Sequence, residues 1–201
     1  RARAHRAAAA SLTVAGHRLE PWPRLASRPA AELPLVRPRL DTVRNPRTGE
    51  TLERLVLEAP AWVNVVALTA GRELVCVRQF RFGTATLELE IPAGLVDDGE
   101  CHREAAVREL REETGYTAAG WTYLGASAPN PAFLDNLCHH WLAQPASRTH
   151  EQVLDAGEDV AVELVRLAEV PRLVADGSLR HALVLSALAR VLDLRADDAA
   201  P

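Results

Sequence analysis

"GLVDDGECHREAAVRELREETGY", Gly94 to Tyr116, is the stretch from which the rest of the chain can be read. Its middle is rich in Glu, Arg and Ala, good helix formers, and Gly115 suits the left-handed cap that ends a helix. The spacing predicts a helix over about 100 to 114. With Glu109 set at zero on a wheel of about 100° per residue, Glu112 falls near −60° and Glu113 near +40°. Three carboxylates therefore share one face, and Ala106, Val107 and Leu110 on the neighbouring arc are expected to dock on a sheet. Like charges so placed repel by about a few tenths of a kcal/mol per pair. Two arrangements remove that cost. One is a solvated charged face with Glu104 and Arg108 as an i, i+4 pair; the other is a hard divalent cation among the carboxylates, since Mg²⁺ prefers oxygen ligands.

Working outward from the helix, the chain reads as strands before and after it. "LVRPRLDTVRN" and "TLERLVLEA" flank the turn "PRTGE" and predict a hairpin over 35–58. "WVNVVALTA" and "ELVCVRQFRF", separated by Gly71, predict a second hairpin, and "TLELEIPAG" alternates until Pro92 and Gly94. Strands near 121–127, 136–143 and 159–166 follow, then helices over 167–175 and 179–194. Leu185, Leu188, Ala189 and Leu192 repeat at helical spacing and are expected to pack in the core. Residues 1–34 are expected to be irregular or partly disordered, with irregular structure or a short strand over 12–34. The class is α/β in the mixed, α+β sense: a β-sheet between helices, with an N-terminal hairpin extension and a main domain over 59–195.

Composition narrows the function. The chain has 201 residues, 48% of them hydrophobic, enough for a sizeable core. Its formal net charge of −4 gives no reason to expect nucleic-acid binding. No apolar run approaches the roughly 18 residues that span a bilayer, so no membrane partner is expected. Cys76, Cys101 and Cys138 form no CxxC pair, and their odd number suits a reducing, cytoplasmic setting. The seven histidines show no zinc-binding spacing.

The stretch 94–116 resembles the Nudix box, Gly-x5-Glu-x7-Arg-Glu-U-x-Glu-Glu-x-Gly-U, where U is aliphatic. Gly94, Glu100, Arg108, Glu109, Leu110, Glu112, Glu113 and Gly115 stand at the required positions, and Tyr116 at the last U is the one departure. "VRQFRFG", "LELEIPAG" and Pro131 beyond the box resemble ADP-ribose pyrophosphatases and related nucleotide-sugar hydrolases. The resemblance implies a Nudix fold and hydrolysis of a nucleoside diphosphate linked to another moiety, with Mg²⁺ or Mn²⁺. It implies Glu109, Glu112 and Glu113 as metal ligands, with the Ala93 carbonyl as a further oxygen. Arg108 would then orient a catalytic glutamate, and Glu100 would brace the loop.

Groups for the substrate must come from outside the box. Arg78 and Arg81 alternate on a strand, so one can grip phosphate while the other faces away. Glu90, Trp62 and Asn130 are further candidates for binding, with Phe82 as a second aromatic able to stack a base and Asn136 shaping the pocket. A general base outside the helix would come from Glu151, Glu158 or Asp159, and the resemblance favours Glu158. The expected partner is a small nucleotide, and the expected assembly a homodimer whose N-terminal hairpin is covered by a second chain. The readings in competition are a catalytically silent ligand sensor and a hydrolase of nucleoside triphosphates or capped RNA.

Overall fold

A computed structural model of the chain describes residues 22–31 and 33–195, together with the backbone of 12–14 and 17–19. The expectation for residues 1–11 lies outside the described residues. The chain divides into two compact units: residues up to Pro60 with Asn130–Asn136, and Ala61–Pro129 with the chain from Leu137 onward.

In the first unit β1 (Leu12–Val14) pairs with β2 (His17–Leu19), and β3 (Arg24–Pro29), β4 (Arg37–Arg44) and β5 (Thr51–Glu58) form an antiparallel sheet. The β4–β5 hairpin is the one expected over 35–58, and Gly49 supplies the positive φ its turn needs. β3 is the short strand that the expectation for 12–34 allowed beside irregular structure. Its sequence, RLASRP, alternates nothing and every residue is exposed, so no hydrophobic period marks it. It pairs through backbone and charge: Ser27 sits opposite Asp41, and the Ser27 hydroxyl and Arg39 Nε both donate to the Asp41 carboxylate, at 2.5 and 3.0 Å.

The second unit holds a seven-stranded mixed sheet. Its strands are β6 (Trp62–Thr69), β7 (Glu73–Arg81), β8 (Thr86–Glu90), β9 (Ala93–Leu95), β10 (Tyr116–Ser127), β11 (Cys138–Arg148) and β12 (Val160–Arg166). The order is β10-β11-β6-β7-β12, with β8 on β7 and β9 on β6; only β11–β6 is parallel. Because both faces are covered, β6 reads as an almost unbroken apolar run. Val63, Val65 and Ala67 pack with Ala105, Ala106 and Leu110 of α1 (His102–Thr114). Val66 and Leu68 pack on the other face with Val184, Ala187 and Leu188 of α3 (Ala182–Leu188) and with Val170, the first residue of α2 (Val170–Ala175).

Three boundaries differ from the sequence expectation. α1 begins at His102, capped by Cys101, and β10 starts at Tyr116, directly after the helix cap. The late helices are short; α3 ends at Leu188 and buries Leu183, Val184, Ala187 and Leu188, while Ala189 is exposed. No helix among the described residues is long and apolar enough to cross a membrane.

The sheet and α3 are also tied by a buried polar chain. His140, fully buried, bonds through Nδ1 to Asn64 Oδ1 (2.6 Å) and through Nε2 to Ser127 Oγ (2.9 Å), while Asn64 Nδ2 donates to the Leu183 carbonyl. Burial, with Arg190 and His139 adding to it, lowers the His140 pKa to about 4. The unfolded chain binds this proton near pH 6.5, so between about 4 and 6.5 it holds more protons than the native state, and stability is lost as the pH drops through that window. Urea denaturation should show wild type losing up to about 3 kcal/mol more than His140→Gln between pH 7 and pH 4. Equal losses in the two proteins would contradict a neutral buried imidazole.

Candidate active site

The helix α1 presents its acids differently from a solvated stripe. Glu109 and Glu113 are buried, Glu113 to 3% exposure, and Val107, expected to dock, is 37% exposed. The docking face has shifted toward the carboxylates: Ala105, Ala106, Leu110 and Thr114 carry the packing, and Glu109 and Glu113 enter the sheet side with them.

Two glycines make this possible. Gly94, in β9, lies directly against the Glu109 carboxylate: a Cβ on it would stand 1.9 Å from Glu109 Oε1. Gly115 ends α1 at φ +73°, and a Cβ there would meet the His150 carbonyl at 2.2 Å. Its own carbonyl accepts from the amides of Thr149 and His150, both at 3.0 Å, so the chain returning from β11 closes over the helix end.

Arg108 organises the acids around it. Its Nε and Nη2 donate to both Glu100 oxygens at 3.0 Å, its Nη2 also reaches the Leu95 carbonyl at 2.9 Å, and its Nη1 donates to Glu109 at 2.8 Å and Glu112 at 3.3 Å. The Glu100 pairing leads in raising the Arg108 pKa. Glu100 also accepts from the Asp97 amide at 3.2 Å, which ties the loop before the helix to the same guanidinium. Glu113 takes a different partner, the Ala93 amide at 2.9 Å.

Among the described residues no group of three or more His, Cys, Asp or Glu side chains is spaced to hold a metal ion. The structure thus does not gather Glu109, Glu112 and Glu113 into one ligand set, because Arg108 draws the first two and the β9 backbone draws the third. The donor chemistry nonetheless suits a hard cation. Burial pushes the Glu113 carboxyl up to about 8, and the charges of Glu109 and Glu158 add to the rise. Burial likewise raises Glu109, with Glu158 and Glu112 contributing. These are oxygen donors at close quarters whose negative forms oppose one another, the condition a divalent cation relieves.

The remaining candidates separate. Arg81 forms a bidentate pair with Glu90, Nε and Nη2 each 2.7 Å from a carboxylate oxygen, and Glu90 is 1% exposed. That pair leads in raising the Arg81 pKa, to which the Glu113 and Glu88 charges also contribute. Arg78 is on the other face of β7, paired with Glu163 at 2.9 Å near the surface. Trp62 opens β6 half-buried, opposite Leu95 and Cys138. Phe82 is 86% exposed in the β7–β8 turn. Asn130 and Asn136 belong to the first unit: Asn130 Oδ1 accepts from the Ala132 amide at 3.3 Å, and Asn136 Nδ2 donates to the Pro60 carbonyl at 2.7 Å. Glu151 pairs with Arg148 on the surface; Glu158 and Asp159 are exposed.

Sequence reasoning missed two supports of this region. Arg180, between α2 and α3, donates to Glu88, whose carboxyl it lowers to about 2 with help from Thr86 and Thr84. Gln152, on the loop that carries Glu158, bonds to the backbone of Glu113 in α1 and of Val160 at the start of β12. Neither lies in a pattern with a period or a motif. The one signal available was the alternation of Glu88 with Glu90 on β8, two acids on one strand face that each require a cation.

A model described as the NUDIX domain matches residues 59–188. The chain is 38% identical over 127 residues to an ADP-ribose pyrophosphatase of Bacillus subtilis (strain 168), covering 63% of this chain and 69% of the relative. It is 35% identical over 133 residues to a methanol dehydrogenase activator of Bacillus methanolicus, covering 66% and 71%. Among solved structures, that of an ADP compounds hydrolase superposes with a TM-score of 0.76 at 25% identity, covering 86% of this chain and 93% of the other.

Proposed function

The chain belongs to the NUDIX domain family, and on that premise we propose that it is a metal-dependent hydrolase of the pyrophosphate bond in ADP-ribose or a nucleotide sugar. The observation that carries this reading is the set of opposed carboxylates held between Gly94 and Arg108. Glu109, Glu112 and Glu113, with the Ala93 carbonyl, are the groups that would hold Mg²⁺ or Mn²⁺. Such a cation would supply charge neutralisation for the pyrophosphate and acidify the attacking water.

The residues of the chain then divide the work. Arg108 keeps Glu109 and Glu112 oriented while itself anchored on Glu100. Arg81 has Nε and Nη2 fixed by Glu90, so its Nη1 is left to donate to a phosphate oxygen from a set position. Glu158, on an exposed loop and electrostatically coupled to Glu109 and Glu113, takes the proton of the attacking water. Support for the substrate class comes from the pyrophosphatase and ADP compounds hydrolase among the similar proteins.

We further infer a two-fold dimer, because Leu25, Leu33, Leu35 and Leu55 of the N-terminal unit are left exposed. One preparation tests both readings. Purified protein with Mg²⁺ or Mn²⁺ should release two phosphorylated products from ADP-ribose or a nucleotide sugar, and light scattering should give about twice the 21.9 kDa chain mass. Cleavage confined to nucleoside triphosphates would overturn the substrate class. Tight binding of ADP-ribose without turnover would replace the enzyme by a ligand-dependent regulator, and a single-chain mass would remove the dimer.

A further inference from the structure

The loop between β11 and β12 is fastened to α1 at several points. The Thr149 and His150 amides donate to the Gly115 carbonyl, and the Val153 amide donates to the Glu112 carbonyl at 2.9 Å. Between them, Gln152 Nε2 donates to the Glu113 carbonyl at 2.6 Å and to the Val160 carbonyl at 3.1 Å. One side-chain amide therefore spans the last turn of the helix and the first residue of β12. Glu158 stands two residues before Val160, on the segment whose two ends that amide joins.

Past Val153 the loop has little else to hold it. Residues 155–159 are exposed, and their bonds are local: the Glu158 amide donates to the Asp155 carbonyl at 2.9 Å, and the Asp155 amide donates to Glu158 Oε2 at 3.0 Å. The Glu158 carboxylate is thus parked on its own turn. The reach of that carboxylate toward α1 is set by where the turn is anchored.

We propose that Gln152 is a positioning residue for the hydrolysis: its amide fixes the distance between the α1 C-terminus and β12, and so holds the Glu158 turn beside the Glu109–Glu113 pair. This rests on the reading of Glu158 as the general base. An amide suits the task because both of its N–H donors are used on backbone carbonyls, one of them exposed by the end of the helix. No other side chain in 149–159 bonds to both α1 and β12 among the described residues. The seven residues between Gln152 and Val160, left to themselves, sample many conformations, so loss of the anchor lowers the fraction of time the base is in place.

The test uses Gln152→Met, similar in length and without donors, alone and combined with Glu158→Gln. Gln152→Met should lower kcat about 10-fold, with KM within twofold, a drop confined to the proton-transfer contribution. In the Glu158→Gln background the same substitution should change kcat less than twofold, since the group it positions is already gone. Hydrogen exchange on the protein without substrate should show amides 153–158 exchanging about 10-fold faster in Gln152→Met, with those of 105–112 unchanged. Wild-type kcat in Gln152→Met, a full 10-fold loss on top of Glu158→Gln, or unchanged exchange at 153–158 would each overturn the positioning role while leaving Glu158 as base. Wild-type kcat in Glu158→Gln alone would instead remove the base, and the role of Gln152 with it.

Discussion

Glu113→Gln should lose at least about 10²-fold in kcat while the metal-free protein melts at or above the wild-type temperature. The two halves of this expectation come from one environment. Glu113 is almost wholly buried and faces the charges of Glu109 and Glu158, with Arg81 the cation that offsets them. Its contact to the Ala93 amide survives in glutamine, whose carbonyl oxygen accepts the same bond. With its carboxyl pushed up to about 8, Glu113 without metal is largely protonated near neutral pH, so glutamine replaces a neutral acid at little cost to the fold, whereas a cation loses a ligand it needs. Glu112→Gln should cost a similar factor in rate with no gain in stability, because Glu112 is half-exposed and paired with Arg108 and Arg111. The measurements are steady-state rates against metal concentration and thermal melts without metal. A Glu113→Gln enzyme turning over at the wild-type rate would take this residue out of the reaction.

Gly94→Ala is the second large effect. The backbone of Gly94 makes no demand for glycine through φ; the demand is the Glu109 carboxylate, 1.9 Å from where the Cβ would be. Either Glu109 leaves its place beside Arg108 or β9 moves away from α1. The rate should fall about 10² to 10³-fold, and overpacking should cost about 1–3 kcal/mol in stability. The cause can be isolated: with Glu109→Ala already present the space exists, so adding Gly94→Ala should cost less than about 0.5 kcal/mol more. Wild-type stability and rate in Gly94→Ala alone would show that the two residues do not share this space.

What could be read in advance was what periodicity and fixed spacing encode. The β4–β5 hairpin showed as two runs around a Gly turn, the paired strands β6 and β7 as runs split at Gly71, and α1 as a capped helix with three acids at related angles. The box residues Gly94 to Gly115 were legible because they lie within 22 consecutive positions, where local geometry relates them directly. β3 was not legible, since its stability lies in backbone pairing and in Asp41, with no apolar period to mark it.

Only the tertiary structure decided which way the acids turn. A helical wheel gives angles but not the depth of the docking face, and here the sheet takes Glu109 and Glu113 inside while leaving Val107 in water. It likewise decided between the two arginines of β7: alternation put them on opposite faces, and though both are half-exposed, Arg81 pairs with a buried acid, Glu90, and Arg78 with a superficial one, Glu163. Gln152 and Arg180 belong to the same class, 39 and 92 positions from the residues they hold. Sequence alone determined the chemical inventory and its local spacing. Burial and pairing across the sheet, which set the charge state of each acid, depend on contacts between distant segments and exist only in the folded chain.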